Sequence, residues 1–184
     1  MGNAKLKKDD TLLVVIDFQE KIIPAMHGSE KAIDAAVKLL KGFGILGLPY
    51  IATQQYTKGL GETLQKVREA ADGFTYIEKS AFSLLAQPEA ASALKEAGRK
   101  SLVLIGAEAH VCVLQSAIDL AENGYDVHVA VDGIASREKF SKKTAIKQML
   151  FAGIIVETAE SVLFKLLEND SRSDTFKAIS KLVK

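Results

Sequence analysis

Six short apolar runs recur along this chain, each bounded by turn or helix signals. They are TLLVVID (Thr11–Asp17), PYIAT (Pro49–Thr53), TYIEK (Thr75–Lys79), SLVLIGA (Ser101–Ala107), DVHVAVD (Asp126–Asp132) and GIIVE (residues 153–157). The strongest, SLVLIGA and TLLVVID, are apolar without alternation. That is the pattern of strands covered on both faces, since a half-exposed strand would alternate. Helical spacing fills the intervals. Ser29 offers an N-cap ahead of Ile33, Ala36, Val37, Leu40 and Phe43, which fall on one helical stripe. Pro88 suits the first turn of a helix that stops near Gly98, following the usual preference of Pro for helix starts. Val111, Leu114, Ile118 and Ala121 share a face of another helix, closed by Asn123-Gly124. Further helical patterns cover about Lys142–Phe151, Ala159–Leu167 and Thr175–Val183. Strands that alternate with helices pair in parallel through crossovers. The expected fold is therefore α/β: a three-layer α-β-α sandwich around a six-stranded, mostly parallel, Rossmann-like sheet.

No repeat, low-complexity tract or linker interrupts the 184 residues. Their number suits one core, so a single domain over 1–184 is expected. A formal net charge of +1 gives no electrostatic case for nucleic acid. No apolar run approaches the roughly 20 residues that span a membrane, and no apolar signal region follows the polar opening MGNAKLKKDD. A single cysteine, Cys112, makes no internal disulfide, so nothing points to an oxidising compartment. The expectation is a cytoplasmic protein with a small-molecule ligand and without nucleic-acid or membrane partners.

Sites in open parallel sheets form beyond the carboxyl ends of strands. That rule singles out Asp17, the Gln54–Tyr56 segment, Lys79 and the 106–112 loop. Gly42, Gly44 and Gly47 match a dinucleotide-binding spacing. Here they end a helix and lead into a strand, the reverse of the context in which that motif cradles a pyrophosphate. A helix stop and a tight turn explain them better. Taken singly, the other positions have bland readings. An Asp after a strand is commonly a turn residue, a Lys is commonly a solvated charge, and a lone Cys is commonly small apolar packing. At the mouth of a helix the same thiol would be aimed and activated as a nucleophile.

IDFQEKII around Asp17, YIEKSAFS around Lys79 and GAEAHVCVLQSA around Cys112 resemble the isochorismatase-like cysteine hydrolases. QQYTKGLG (Gln54–Gly61), VDGIASR (Val131–Arg137) and the ending SVLFKLLEND extend the likeness over nearly the whole chain. The first and last of these look most like a metal-free group of isochorismatase-domain proteins and their bacterial relatives. The resemblance implies the isochorismatase-like hydrolase fold and a triad of Asp17, Lys79 and Cys112. In it, Asp17 accepts the thiol proton, and Lys79 holds that carboxylate and favours the thiolate. Cys112 attacks a carbonyl carbon. The resemblance also implies a cis Ala107–Glu108 peptide and an oxyanion hole made by the amides of Glu108 and Cys112. The implied reaction is hydrolysis of a small amide or related C–N bond through a thioester. Members that open the enol ether of isochorismate do not need a thiol, so Cys112 argues against that chemistry.

Nicotinamidases of this superfamily hold a divalent metal through an Asp-x-His motif near the second strand. This chain has Gln54-Gln55-Tyr56-Thr57 there, and His27, His110 and His128 are scattered, so no metal and no cofactor are expected. Phe18, Gln19, Gln55, Tyr56, Phe82 and His110 flank the triad motifs as candidates to line a substrate pocket, with ordinary packing as the competing explanation. Asp132 and Arg137 are expected to act structurally, Arg137 by tying down backbone or carboxylates. The C-terminal apolar pattern of Phe164, Leu166, Leu167, Phe176, Ile179 and Leu182 suits either an assembly interface or a cover for the sheet. Family members commonly assemble, so a homo-oligomer is expected. Two further readings remain open: a non-catalytic binding or scaffold protein that kept the fold, and a hydrolase of esters.

Overall fold

The structure is a computed structural model that describes residues 5–168 and 172–184. The first four residues and the last two of SVLFKLLEND lie outside that span. Strands β1 (Thr11–Ile16), β2 (Tyr50–Gln55), β3 (Ile77–Lys79), β4 (Ser101–Ala107), β5 (Asp126–Ala135) and β6 (Ile155–Glu157) form one sheet in the order β3-β2-β1-β4-β5-β6. Every pairing is parallel. The helices are α1 (Ser29–Leu46), two single turns α2 (Thr57–Leu60) and α3 (Gln65–Arg68), then α4 (Pro88–Ala97), α5 (Leu114–Glu122), α6 (Lys139–Phe151), α7 (Ala159–Leu167) and α8 (Asp174–Val183).

Successive strand residues point to opposite faces, and both faces are apolar. Leu13 and Val15 of β1 join Val103 and Ile105 of β4 in a core roofed by α1, α7 and α8. Leu12, Val14 and Ile16 join Leu102 and Leu104 in a second core under α4, α5 and α6. Two covered faces explain why the strand runs do not alternate. The C-terminal apolar pattern belongs to the first core: Leu166, Leu167 and Ile179 are buried. Phe164 and Phe176 meet edge to face beside it, ring centroids 6.2 Å apart. Leu166, Leu167 and Ile179 thus serve as a cover for the sheet, as one of the two readings has it.

Some local expectations shift. Ser29 is the first helical residue rather than the cap; Gly28 precedes it at φ 75, a left-handed position that glycine fills without steric cost. Of the three glycines in the failed dinucleotide pattern, Gly47 caps the C-terminus of α1, while Gly42 lies inside the helix against Leu163. The buried face after β4 is Val113, Leu114, Ala117 and Leu120; of the expected stripe Leu114 is covered, while Val111, Ile118 and Ala121 are only partly so. A π-helical turn over Ala109–Val113 widens the start of that helix and rotates its face from the expected one. β5 runs three residues past Asp132, because pairing with β4 resumes after a register shift, Gly106 with Ile134 and Ala107 with Ala135.

The strand order reverses direction between β1 and β4, both of which start the chain's excursions to opposite edges. A crevice opens at such a point beyond the carboxyl ends. The two strands approach closely there. Gly106 sits at φ 140, and a Cβ on it would overlap the carbonyl oxygen of Ile16. The site is built directly above that contact.

Candidate active site

Register brings the pieces together. Ile16, the last residue of β1, lies opposite Thr53 on one side and Gly106 on the other, while Gln55 lies opposite Lys79. Asp17 thus leaves β1 beside the ends of β2 and β4. It does so at φ 53, a left-handed conformation that Asp tolerates better than most residues. Its N–H donates to the Thr53 carbonyl at 3.1 Å, and the Thr53 hydroxyl donates to Oδ1 at 2.8 Å. Lys79, closing β3, places Nζ 2.7 Å from Oδ2, with both side chains wholly buried.

Lys79 Nζ also donates to Gln55 Oε1 at 2.6 Å and to the Ala81 carbonyl at 3.2 Å, and it lies 3.6 Å from Cys112 Sγ. Three oxygen acceptors match the three protons of an ammonium. Lys79 is therefore a fixed cation whose direction the surrounding acceptors determine. Gln55 is itself pinned: its N–H donates to Gln19 Oε1 at 2.7 Å, and Gln19 Nε2 donates back to the Gln55 carbonyl at 2.9 Å. Cys112 comes from the π-helical turn and is 7% exposed. The Ala107–Glu108 peptide leading into that turn is cis, as the resemblance implies. The Glu108 carbonyl accepts from Val111 at 3.0 Å and Val113 at 3.2 Å, closing the turn.

The electrostatics differ from expectation in one respect. Burial first, then the Asp17 carboxylate, push the Cys112 thiol up to about 11, and Lys79 offsets only part of this. Lys79 favours the thiolate, as expected, but burial and the Asp17 charge outweigh it. Burial also raises the Asp17 carboxyl above its ordinary range, against the lowering by Lys79, Thr53 and Cys112. A protonated thiol beside a carboxylate of raised basicity is an acid–base pair ready for transfer. Asp17→Asn should therefore lower the thiol pKa, because it removes the repelling charge and leaves the Lys79 ammonium beside the sulfur. Iodoacetamide alkylation followed against pH should climb toward about 11 in the wild type and reach its plateau at lower pH in the variant. A midpoint unchanged or raised in Asp17→Asn would contradict this electrostatic account.

A cavity of about 360 Å³ opens over the sulfur, within the usual range for small-molecule sites. Asp17, Gln55, Phe82, Glu108 and Cys112 line it, with Ile22, Met26, Leu60 and Val111 as apolar wall and Lys21 and Arg137 at the rim. Of the expected pocket residues, then, Gln55 and Phe82 face it. Phe18 does not: it is fully buried in the first core. Gln19 is also fully buried and serves as the clamp on Gln55. Tyr56 is 58% exposed and lies over Gly59. His110 hydrogen-bonds through Nδ1 to Ser136 Oγ at 3.0 Å, the local bond that competed with a substrate role. Proximity in sequence placed all four beside the site without aiming their side chains into it. Arg137 donates from N and Nε to the Glu108 carboxylate at 3.1 and 3.2 Å, and Asp132 accepts from the Ala159 N–H at 2.9 Å. Arg137 lines the rim as well as tying down a carboxylate. Thr53, Met26 and Leu60 carried no sequence signal, since each reads as ordinary strand or apolar filling.

The residues where nicotinamidases bind metal are otherwise engaged. Gln54 Oε1 accepts from Thr63 N at 2.7 Å and its hydroxyl at 2.8 Å, and Gln54 Nε2 donates to Thr57 at 2.9 Å. Among the described residues, no group of three or more His, Cys, Asp or Glu side chains is placed to hold a metal ion. No described helix is long and apolar enough to cross a membrane.

The sequence pattern of the Isochorismatase domain matches residues 11–161. The chain belongs to the isochorismatase family. It is 38% identical over 95% of its length to isochorismatase domain-containing protein 1 of Salmo salar, covering 61% of that protein. It is 31% identical over 99% of its length to isochorismatase domain-containing protein 2 of Danio rerio, covering 91% of it. The isochorismatase-family chain thus spans less than two thirds of the protein 1 relatives, 61% and 64% of their lengths. Among solved structures, that of the MAR1 ribonuclease of Caenorhabditis elegans superposes with a TM-score of 0.90 at 36% identity, covering 98% of this chain and 92% of that one. The YCAC gene product of Escherichia coli, described as an octameric hydrolase of unknown specificity, shares the fold with a TM-score of 0.90 at 22% identity, covering 99% of this chain and 90% of that one.

Proposed function

We propose that this isochorismatase-family chain is a cysteine hydrolase of small amides or related C–N substrates, with Cys112 as nucleophile. The observation that carries this reading is the contact of a buried carboxylate, ammonium and thiol, 2.7 Å from Lys79 Nζ to Asp17 and 3.6 Å to Cys112 Sγ, at the floor of a cavity of small-molecule size. Sγ attacks the amide carbon as its proton passes to Asp17. The S–C bond forms and the carbonyl electrons move to oxygen, where the Glu108 and Cys112 amides receive the negative charge. Collapse breaks the C–N bond, and Asp17 returns its proton to the departing nitrogen. Water then attacks the thioester, again giving a proton to Asp17, and the sulfur leaves and recovers that proton. Lys79 stays charged throughout and keeps Asp17 aimed.

The apolar wall of Ile22, Met26 and Leu60 suits a compact acyl group. A panel of small primary amides assayed for ammonia release tests the reading, combined with intact-mass detection of an acyl adduct on the protein. Turnover of at least one amide, with the adduct confined to the peptide bearing Cys112, is the expected result. Ammonia release with no acyl adduct under acid quench would overturn the covalent route.

A further inference from the structure

α6 opens in an electrostatically unfavourable way. Lys139, Lys142 and Lys143 fall among its first five residues; Glu138 stands at the N-cap, and no acidic residue lies in the first turn. Cations at a helix N-terminus face the positive end of the backbone dipole. Lys31, in the first turn of α1, faces the same place, and its charge reaches Lys142. These four lysines line a hollow of about 460 Å³, with Ile146 as an apolar wall and Asp132 and Glu30 as its two acids.

Most of that positive charge is not neutralised. Lys142 donates to the Ile134 carbonyl at 2.7 Å and is attracted by Asp132. Lys31, Lys139 and Lys143 form no ion pair among the described residues. Three ammoniums drawn from two helices line one hollow, and a multiply charged anion there would gain charge-assisted hydrogen bonds from them. The hollow shares no lining residue with the cavity over Cys112. Between the two runs the backbone bridge of His27 and Ser136, closed by the His27 N–H to the Ser136 carbonyl at 2.9 Å. Inorganic phosphate alone would not fill such a volume, and Ile146 offers a surface for an organic body.

We propose that this hollow is a second binding site, separate from the catalytic cavity, for a phosphorylated small molecule whose phosphate sits among Lys31, Lys139 and Lys143. The test titrates inorganic pyrophosphate into the full chain at low ionic strength by calorimetry, for the wild type, Lys139→Glu/Lys143→Glu and Lys21→Met. The wild type should show one saturable site that weakens as salt is added. The double reversal should lower affinity at least about tenfold, a change of 1.4 kcal/mol, and Lys21→Met should leave it unchanged. Because the reversal puts acids at a helix N-terminus, its thermal midpoint should hold or rise, so lost binding cannot be put down to unfolding. No saturable heat, equal affinity in the double variant, or a loss that follows Lys21 at the catalytic rim would each overturn the proposal.

Discussion

Cys112→Ala lowers kcat on any accepted amide by on the order of 10⁴-fold or more, the scale seen when a nucleophile that works as a unit with its base is removed. The chain has no other cysteine to substitute, and the charges of Asp17 and Lys79 both act on the sulfur. Asp17→Asn should fall by a comparable factor: its thiol, although more acidic than the wild type's at about 11, then has no acceptor for its proton during attack. The double variant should be no worse than the poorer single, since either loss removes the same step. That non-additivity separates a catalytic pair from two independent contributors. It also separates the enzyme from a binding protein that kept the fold, in which Cys112→Ala would leave ligand affinity and every other measured property nearly unchanged. Turnover retained within about tenfold by Cys112→Ala would exclude the covalent route, taking tenfold as the 1.4 kcal/mol scale of a lost ordinary contact.

Lys79→Met destabilises the fold by about 3–5 kcal/mol at neutral pH, the usual result of stranding one member of a buried ion pair. Both Asp17 and Lys79 side chains are wholly enclosed, so the methionine leaves a buried carboxylate without its ion-pair partner. The sign of the pH dependence follows from the same geometry. Without Lys79, the Asp17 carboxyl rises further above its unfolded value, and a group with a raised folded pKa contributes most below the unfolded pKa and loses that contribution as pH rises. Urea denaturation should therefore show the gap between variant and wild type narrowing as pH falls toward the ordinary carboxylate range. Asp17→Asn/Lys79→Met should recover much of the stability, because it strands no charge. A deficit independent of pH, or a double variant as unstable as Lys79→Met, would mean that packing of the lysine stem rather than its charge is what matters.

The fold was legible where the physics is local. Continuous apolar runs such as SLVLIGA and TLLVVID can only be strands covered on both faces, and the intervening 3.6-residue spacing supplies the covers. Helix ends were legible at Pro88, Gly98 and Gly124, where backbone geometry permits few residues. The rule that sites lie past strand carboxyl ends selected Asp17, Lys79 and Cys112 before any contact was known. What sequence spacing could not show was direction. Phe18 and Gln19 adjoin Asp17 along the chain, yet one fills the core and the other clamps Gln55, because consecutive residues leaving a strand diverge. The π-helical turn was likewise invisible, since one extra residue in a turn leaves no mark on composition.

Electrostatics depended most on the assembled structure. Sequence alone put a cation, an acid and a thiol in one neighbourhood, and from residue types the cation was expected to favour a thiolate. The lysine does so, but packing outweighs it, because burial penalises every charge in the crevice and the acid's carboxylate acts on the sulfur more strongly than the lysine does. The sequence determined which groups meet and at which end of the sheet, through strand pattern and register. Tertiary structure alone decided how much water they keep, and that sets which of them carries the proton.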